Sequence, residues 1–289
     1  MSQTQNTAQP AAKHNPLANY FRQPKIFFAL PSKGLFYPEG ALDISETGEY
    51  AVYAMTAKDE LLLKTPDALL NGQATVGLIK SCIPAIRDPW RMPSIDIDAV
   101  LMAIRIATHG KDMEVSANCP NCSHHNEYVF DIVQYMNHLQ TFQFQHAIDA
   151  DPLIINIRPY TYAETTKATL KAIEQQKIFE LVNNEQLSDQ EKMEKFSSSF
   201  VKLTELTVDV VCGCIASIET PEGTVDDQDM IKEFISNTNS EIFNKVNDHV
   251  KKMKNDIELK TQKVSCEDCQ HEYEISITMD QSNFFAVRS

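Results

Sequence analysis

Four cysteines carry the strongest chemical signal in the chain. Cys119-Pro-Asn-Cys122 and Cys266-Glu-Asp-Cys269 have the spacing that lets two thiolates grip one metal ion from a tight turn. The N–H groups between them are then free to hydrogen-bond to sulfur. Each pair supplies half of a tetrahedral Cys₄ site. Their surroundings match: Glu114-Val-Ser-Ala-Asn118 leads into the first pair, and Ser123-His-His-Asn-Glu-Tyr-Val-Phe130 leaves it. Val264-Ser265 leads into the second, and Gln270-His-Glu-Tyr-Glu-Ile-Ser-Ile277 leaves it. Each reads as a hairpin with a cysteine knuckle at its tip, and two such hairpins side by side make a zinc ribbon. In compact ribbons about 15–20 residues separate the pairs. Here 143 residues lie between Cys122 and Cys266, so one ion would clamp the two ends of a long insertion. Four thiolates leave zinc no open coordination position, which suits structure rather than catalysis. The expected cofactor is one structural zinc.

Other uses of these residues fit less well. A redox Cys-x-x-Cys needs a thioredoxin-like βαβ setting, and a second copy would be superfluous. The alternatives are that one pair has lost its metal, or that a histidine replaces a thiolate. His124, His125 and His271 stand just past the knuckles, where they read as solvated strand-start side chains. Cys212 and Cys214 are two apart, so a helix points them about 200° from each other. Together with Cys82 they read as small core residues. An odd total of 7 cysteines argues against a disulfide framework.

No catalytic constellation stands out, and no enzyme activity or small-molecule substrate is expected. The chain has no Gly-x-x-x-x-Gly-Lys-[Ser/Thr], no Gly-x-Ser-x-Gly and no His-Glu-x-x-His, and its 8 glycines are few for a phosphate loop. The acidic run from Glu222 to Asp229 reads as a helix start on a solvated face. Trp90 reads as a buried loop aromatic, with an interface anchor as the alternative.

The elements that must position the cysteines follow from capping and periodicity. Lys25–Leu30 and Tyr50–Tyr53 read as strands of a small β element. Thr56 caps a helix through Leu63, Leu69–Pro84 reads as a second, and Asp96 opens a third that Gly110 ends. The stripe of that third helix is Ile97, Val100, Leu101, Ile104 and Ala107. Thr161-Tyr-Ala-Glu164 and Ser188-Asp-Gln-Glu191 are capping boxes. The first starts a helix to about Val182. The second starts one expected to reach Ile218, with Phe196, Phe200, Leu203, Val210 and Val211 as core candidates. A turn at Thr220–Gly223 and two shorter helices, Asp227–Ile235 and Ser240–Lys254, precede the last hairpin.

The expected class is α+β: a mostly helical body, a small N-terminal β element, and a zinc-ribbon-like hairpin pair from distant parts of the chain. Residues 1–24 read as a flexible arm, 25–110 as a β/helical region and 111–132 as the first knuckle hairpin. Residues 133–258 read as the inserted helical region, and 259–289 as the second hairpin and tail. With 43% apolar and 23% charged residues in 289, the composition is that of a globular protein. No apolar run is long enough for a membrane span and the polar start is unlike a signal peptide, so a cytoplasmic product is expected. The net charge is −14, and residues 1–25 hold three bases and no acid, leaving −17 on the rest. A body of that sign repels a phosphate backbone.

A set of segments in a fixed order then becomes informative. Phe28-Ala-Leu-Pro-Ser-Lys-Gly-Leu-Phe-Tyr37 is followed by Met55–Leu63, Thr65–Gly72, Ser81–Pro84, Ala103–Thr108 and the first cysteine pair. This order resembles the baseplate hub protein family of T4-like contractile-tailed bacteriophages, best over about residues 25–135. The second cysteine pair and Asn283-Phe-Phe285 fit its closing region. The resemblance implies a structural or assembly role in the tail baseplate hub, with other tail proteins and copies of the chain itself as partners. It also implies passage through the host cytoplasm to the virion tail. The free arm and exposed-looking Phe284 and Phe285 would serve docking. Two alternatives are a tail-assembly chaperone absent from the mature virion, and a zinc-ribbon nucleic-acid binder. Against the latter, Glu114, Glu127, Asp131, Glu267, Asp268, Glu272 and Glu274 near the knuckles outnumber Lys111, Lys260 and Lys263.

Overall fold

The computed structural model describes residues 16–182, 188–258, 261–276 and 284–285. Residues 1–15 of the expected arm, Lys260, Ile277 and Asn283 lie outside the described residues. Strands Pro24–Ala29 (β1) and Glu49–Tyr53 (β2) pair antiparallel, with Phe28 opposite Tyr50 and Ile26 opposite Val52. The two-residue period buries Phe28, Tyr50 and Val52 and leaves Phe27 62% exposed on the other face. Helix Ala57–Leu63 (α1) starts at a capping box of Thr56 and Asp59. The single helix expected over Leu69–Pro84 is two, Pro66–Leu70 (α2) and Gln73–Cys82 (α3). The break is Gly72, whose φ of 78° only glycine adopts readily, and where a Cβ would lie 3.0 Å from the Trp90 indole. Helix Ser94–His109 (α4) is buried on nearly every side, its charged Asp96 and Arg105 included. Its expected stripe is buried, and so are Ala99, Met102 and Ala103 around it.

Two buried carboxylates tie the loops to these helices. Asp59 accepts from the Thr56 N–H (2.8 Å) and the Ser81 hydroxyl (2.9 Å), and the Arg22 guanidinium lies 3.6 Å away. Arg22 also donates to the carbonyls of Ala54 and Ser81, which fastens the chain to the body at that residue. Asp96, fully buried in the first turn of α4, accepts from the Ser32 N–H (2.7 Å), the Ser32 hydroxyl (2.6 Å) and the Tyr37 hydroxyl (2.9 Å). The Leu30–Tyr37 loop is thereby held over the helix start. Burial pushes the Asp96 carboxyl up from 3.8 to about 6, against the pull of those donors. The folded chain therefore holds a proton between those two values that the unfolded chain has released. Stability from this group is greatest below the lower value and is lost as pH rises through the upper one, by about 3 kcal/mol in all. Urea titrations across that window should show the slope, and Asp96→Asn should flatten it.

Strands Asp112–Asn118 (β3) and His125–Asp131 (β4) form the first hairpin, and helix Ile132–Thr141 (α5) packs back on α4. A four-stranded antiparallel sheet follows, in the order Ala147–Ala150 (β5), Leu153–Ile157 (β6), Ile215–Thr220 (β7) and Gly223–Val225 (β8). This sheet lies inside the region read as a helical insertion. Helices Tyr162–Val182 (α6) and Asp189–Gly213 (α7) are inserted between β6 and β7. The helix expected to reach Ile218 stops at Gly213 instead. Ile215 pairs with Ile157 and Ile218 with Ile155, and these β-branched cross-strand pairs outweigh helical continuation. Helices Gln228–Asn237 (α8) and Ser240–Ile257 (α9) bury Ile231, Ile235, Val246 and Met253 with the sheet isoleucines. Strands Gln262–Ser265 (β9) and Glu272–Ile275 (β10) make the second hairpin.

There are two main apolar clusters, one around α4 and one around the four-stranded sheet. They are joined where the Ser94 N–H donates to Tyr160 O (2.6 Å) and the Tyr162 N–H to Met92 O (2.8 Å). Cys82, Cys212 and Cys214 are core residues, as expected. Among the α7 candidates, Val211 is buried, and Leu203 and Val210 are half-buried. Phe196 and Phe200 are 49% and 61% exposed, because the second core reaches only the last turns of α7. Phe284 and Phe285 are not the exposed docking residues expected: they are 2% and 7% exposed and belong to the first core. The Arg105 guanidinium lies over the Phe284 ring at 5.5 Å, so these residues are anchors rather than free ends. No helix among the described residues is long and apolar enough to cross a membrane.

Candidate metal centre

The two knuckles have the same backbone. In the first, the Cys119 N–H donates to His124 O and the Ser123 N–H to Cys119 O, both at 2.9 Å. In the second, the Cys266 N–H donates to His271 O and the Gln270 N–H to Cys266 O, both at 3.0 Å. The residue after each second cysteine turns left-handed, Ser123 at φ 61° and Gln270 at φ 59°. A pair of tight turns thus aims each pair of sulfurs outward from its own hairpin tip.

The hairpins face each other so that the four sulfurs meet. Cys119 Sγ lies 3.7 Å from Cys269 Sγ, and Cys122 Sγ lies 3.6 Å from Cys266 Sγ. All four fall within 4.8 Å of one another. A disulfide needs about 2.05 Å, whereas sulfurs around a tetrahedral zinc at about 2.3 Å are about 3.8 Å apart. The geometry matches the second case, and all four thiols are free. Cys119 and Cys266 are buried, Cys269 is half-buried and Cys122 is exposed at the rim. The residues lie close enough to hold one metal ion, and an all-thiolate set suits zinc. His124, His125 and His271 are exposed and stand outside this cluster.

Local donors already favour ionised sulfur. The backbone N–H groups of Cys269 and Asp268, with the Asn126 amide, draw the Cys266 thiol down to about 6. The Asn121 amide, 3.6 Å from Cys269 Sγ, and the His271 N–H lower Cys269. The His124 N–H pulls Cys122 the same way, but desolvation and the three neighbouring thiols outweigh it and push it up to about 12. Four adjacent thiols cannot all ionise without a cation. A metal ion supplies the positive charge that lets the remaining protons leave.

The sequence did not reveal what joins the hairpins. Asn126 is 1% exposed; its amide donates to His124 O (3.0 Å) and approaches Cys266 Sγ at 3.6 Å. Its Oδ1 accepts from the Glu267 N–H on the opposite knuckle at 2.9 Å. The Tyr128 hydroxyl donates to Ser265 O at 3.0 Å and meets the Tyr273 hydroxyl at 3.0 Å. The available signal was Asn126 itself: on an alternating strand it shares a face with Tyr128 and Phe130, a polar residue in an inward position. Asn126→Ala is expected to weaken metal retention about 10–100-fold, as loss of such support does elsewhere, read by competition with a zinc chelator.

No curated protein and no solved structure shows a significant match to the chain. A family described as T4 bacteriophage base plate protein matches residues 30–286. That span contains both knuckles, the second core, nearly all of the first and the Phe284–Phe285 anchor, so the chain belongs to the T4 bacteriophage base plate protein family.

Proposed function

We propose that this chain is a structural subunit of the baseplate hub, retained in the finished virion, whose two hairpins are clasped by one zinc ion. The observation that carries the zinc assignment is the convergence of Cys119, Cys122, Cys266 and Cys269 from opposite ends of a long insertion. The family supports the location in the tail and partners among the other tail proteins. The role is a clasp and not a catalyst, because four thiolates saturate a tetrahedral ion. The protein is made in the host cytoplasm and joins other tail proteins and copies of itself during assembly.

Quantitative mass spectrometry of purified particles tests this reading. The expected result is the chain at a fixed copy number in every particle. Its absence from particles, with the chain present in infected cells, would replace this reading with that of an assembly chaperone. Retention on DNA that weakens steeply with salt would instead favour a nucleic-acid role. The exposed Glu114, Glu127, Glu267, Asp268, Glu272 and Glu274 around the ribbon argue against that result.

A further inference from the structure

A clasp retained in the virion is built in a reducing cytoplasm and then carried into oxidising surroundings, where disulfides form and persist. All four of its cysteines are free thiols, so their placement decides what oxidation does to them. Cys122 is exposed at the rim and lies 3.6 Å from the sulfur of buried Cys266. Half-buried Cys269 lies 3.7 Å from the sulfur of buried Cys119. Each knuckle thus offers one accessible sulfur with a buried sulfur of the opposite knuckle beside it. Closing either gap to a bond takes about 1.6 Å of movement. The register of the two tips does not depend on sulfur. Asn126 Oδ1 accepts from the Glu267 N–H at 2.9 Å, and the Tyr128 hydroxyl donates to Ser265 O at 3.0 Å. Both bonds cross from one hairpin to the other.

We propose that the four cysteines have a second, covalent state: a peroxide converts the clasp into two disulfides that cross between the knuckles, Cys122–Cys266 and Cys119–Cys269, with release of the metal ion. The accessible sulfur of each pair attacks one peroxide oxygen, the O–O bond breaks and hydroxide departs, leaving a sulfenic acid. The buried sulfur then attacks that sulfur, forms the S–S bond and expels a second hydroxide. Each pair gives up two electrons to one peroxide, so four thiolates and two peroxides yield two disulfides and four hydroxides. Where the bonds fall decides whether the hairpins stay joined. A disulfide within one knuckle spans only Pro120 and Asn121, or Glu267 and Asp268, and leaves the hairpins separate. A crossed one closes the long insertion, as a shared ion does, and a longer closed loop constrains the unfolded chain more.

The inference rests on the zinc clasp and virion readings, and the test separates them. The zinc-loaded full chain is treated with hydrogen peroxide and digested without reduction. Expected are release of the zinc and a peptide bearing Cys119 and Cys122 linked to one bearing Cys266 and Cys269. In Cys122→Ser the one remaining link should join Cys119 to Cys269. The oxidised, metal-free chain should be cleaved within residues 111–131 and 261–276 at least about tenfold more slowly than the reduced, metal-free chain. A disulfide within a knuckle in either protein, or thiols that survive the peroxide, would overturn the inference. Particles exposed to the same peroxide, then denatured with chelator and alkylated, should carry the same link. Particles holding the chain with all four of these thiols alkylated would overturn the inference. Particles without the chain would overturn the virion reading alone, and a chain that binds no zinc before treatment would overturn the clasp reading.

Discussion

Replacing either Cys119 or Cys266 by serine is expected to release the same single zinc ion and to loosen both hairpins, although the two residues lie on opposite knuckles. The reason is that each knuckle alone offers two thiolates, too few for a structural site. In isolated zinc-binding peptides such a site is worth about 10–16 kcal/mol in apparent terms. Here the two apolar cores hold their own structure, so the loss in global stability should be smaller. An ion shared by the two knuckles would also close a long loop. Against a compact ribbon, the longer loop removes about 2 kcal/mol more entropy from the unfolded chain, by the logarithmic dependence on length. The Cys119→Ser, Cys266→Ser double variant should be scarcely less stable than either single one. Near-complete non-additivity is the mark of residues acting as a unit. Limited proteolysis within residues 111–131 and 261–276, with chelator-treated wild type as reference, should show both hairpins opening in both single variants. Cys212→Ala and Cys214→Ala, whose sulfurs lie in the second core, should leave the hairpins protected.

Phe284→Ala should be the most damaging change outside the metal centre. The ring is 2% exposed, packs into the α4 cluster and faces the buried Arg105 guanidinium. Truncating a buried phenylalanine costs about 3–5 kcal/mol, through lost transfer energy and the cavity left behind. Arg105 adds to this: among the described residues Nε and Nη1 have no hydrogen-bond partner, so the ring is among the few groups there that stabilise its charge. Phe27→Ala on β1 is the control, because that ring is 62% exposed and its loss should change stability by about 0.5 kcal/mol or less. Urea unfolding of the two variants reads the difference directly. Equal midpoints would contradict the placement of Phe284 in the core.

What the sequence made legible was local. The capping boxes at Thr56, Thr161 and Ser188 each depend on residues three apart, and all three form as hydrogen-bonded pairs. The knuckles were legible for the same reason, since a Cys-x-x-Cys turn is fixed by its own backbone and by the demands of metal ligation. Their meeting could be inferred because half a tetrahedral site has little use alone. The four-stranded sheet was hidden because its strands are short and the α6–α7 pair separates β6 from β7. Nothing near Ile215 announces that its partner is Ile157. Phe196 and Phe200 show the reverse failure: helical spacing identified an apolar stripe, and periodicity cannot say where the core beneath a helix ends. The burial of Phe284 depends on α4, far away in sequence. A terminal Phe-Phe pair reads as a free hook until its receptor is seen. Asn126 was passed over because an isolated asparagine near a turn is ordinary. Only the opposing Glu267 N–H and Cys266 sulfur show why it is buried.

The most direct test of the shared clasp is zinc X-ray absorption on the purified full chain, with metal content measured on the same sample. The account predicts one zinc per chain surrounded by four sulfurs at about 2.3 Å and no nitrogen or oxygen in the first coordination sphere. Two zinc ions per chain, or one ion bound by two sulfurs with histidine or water completing the set, would show that the pairs act separately. In that case the hairpins of residues 111–131 and 261–276 are not joined by metal.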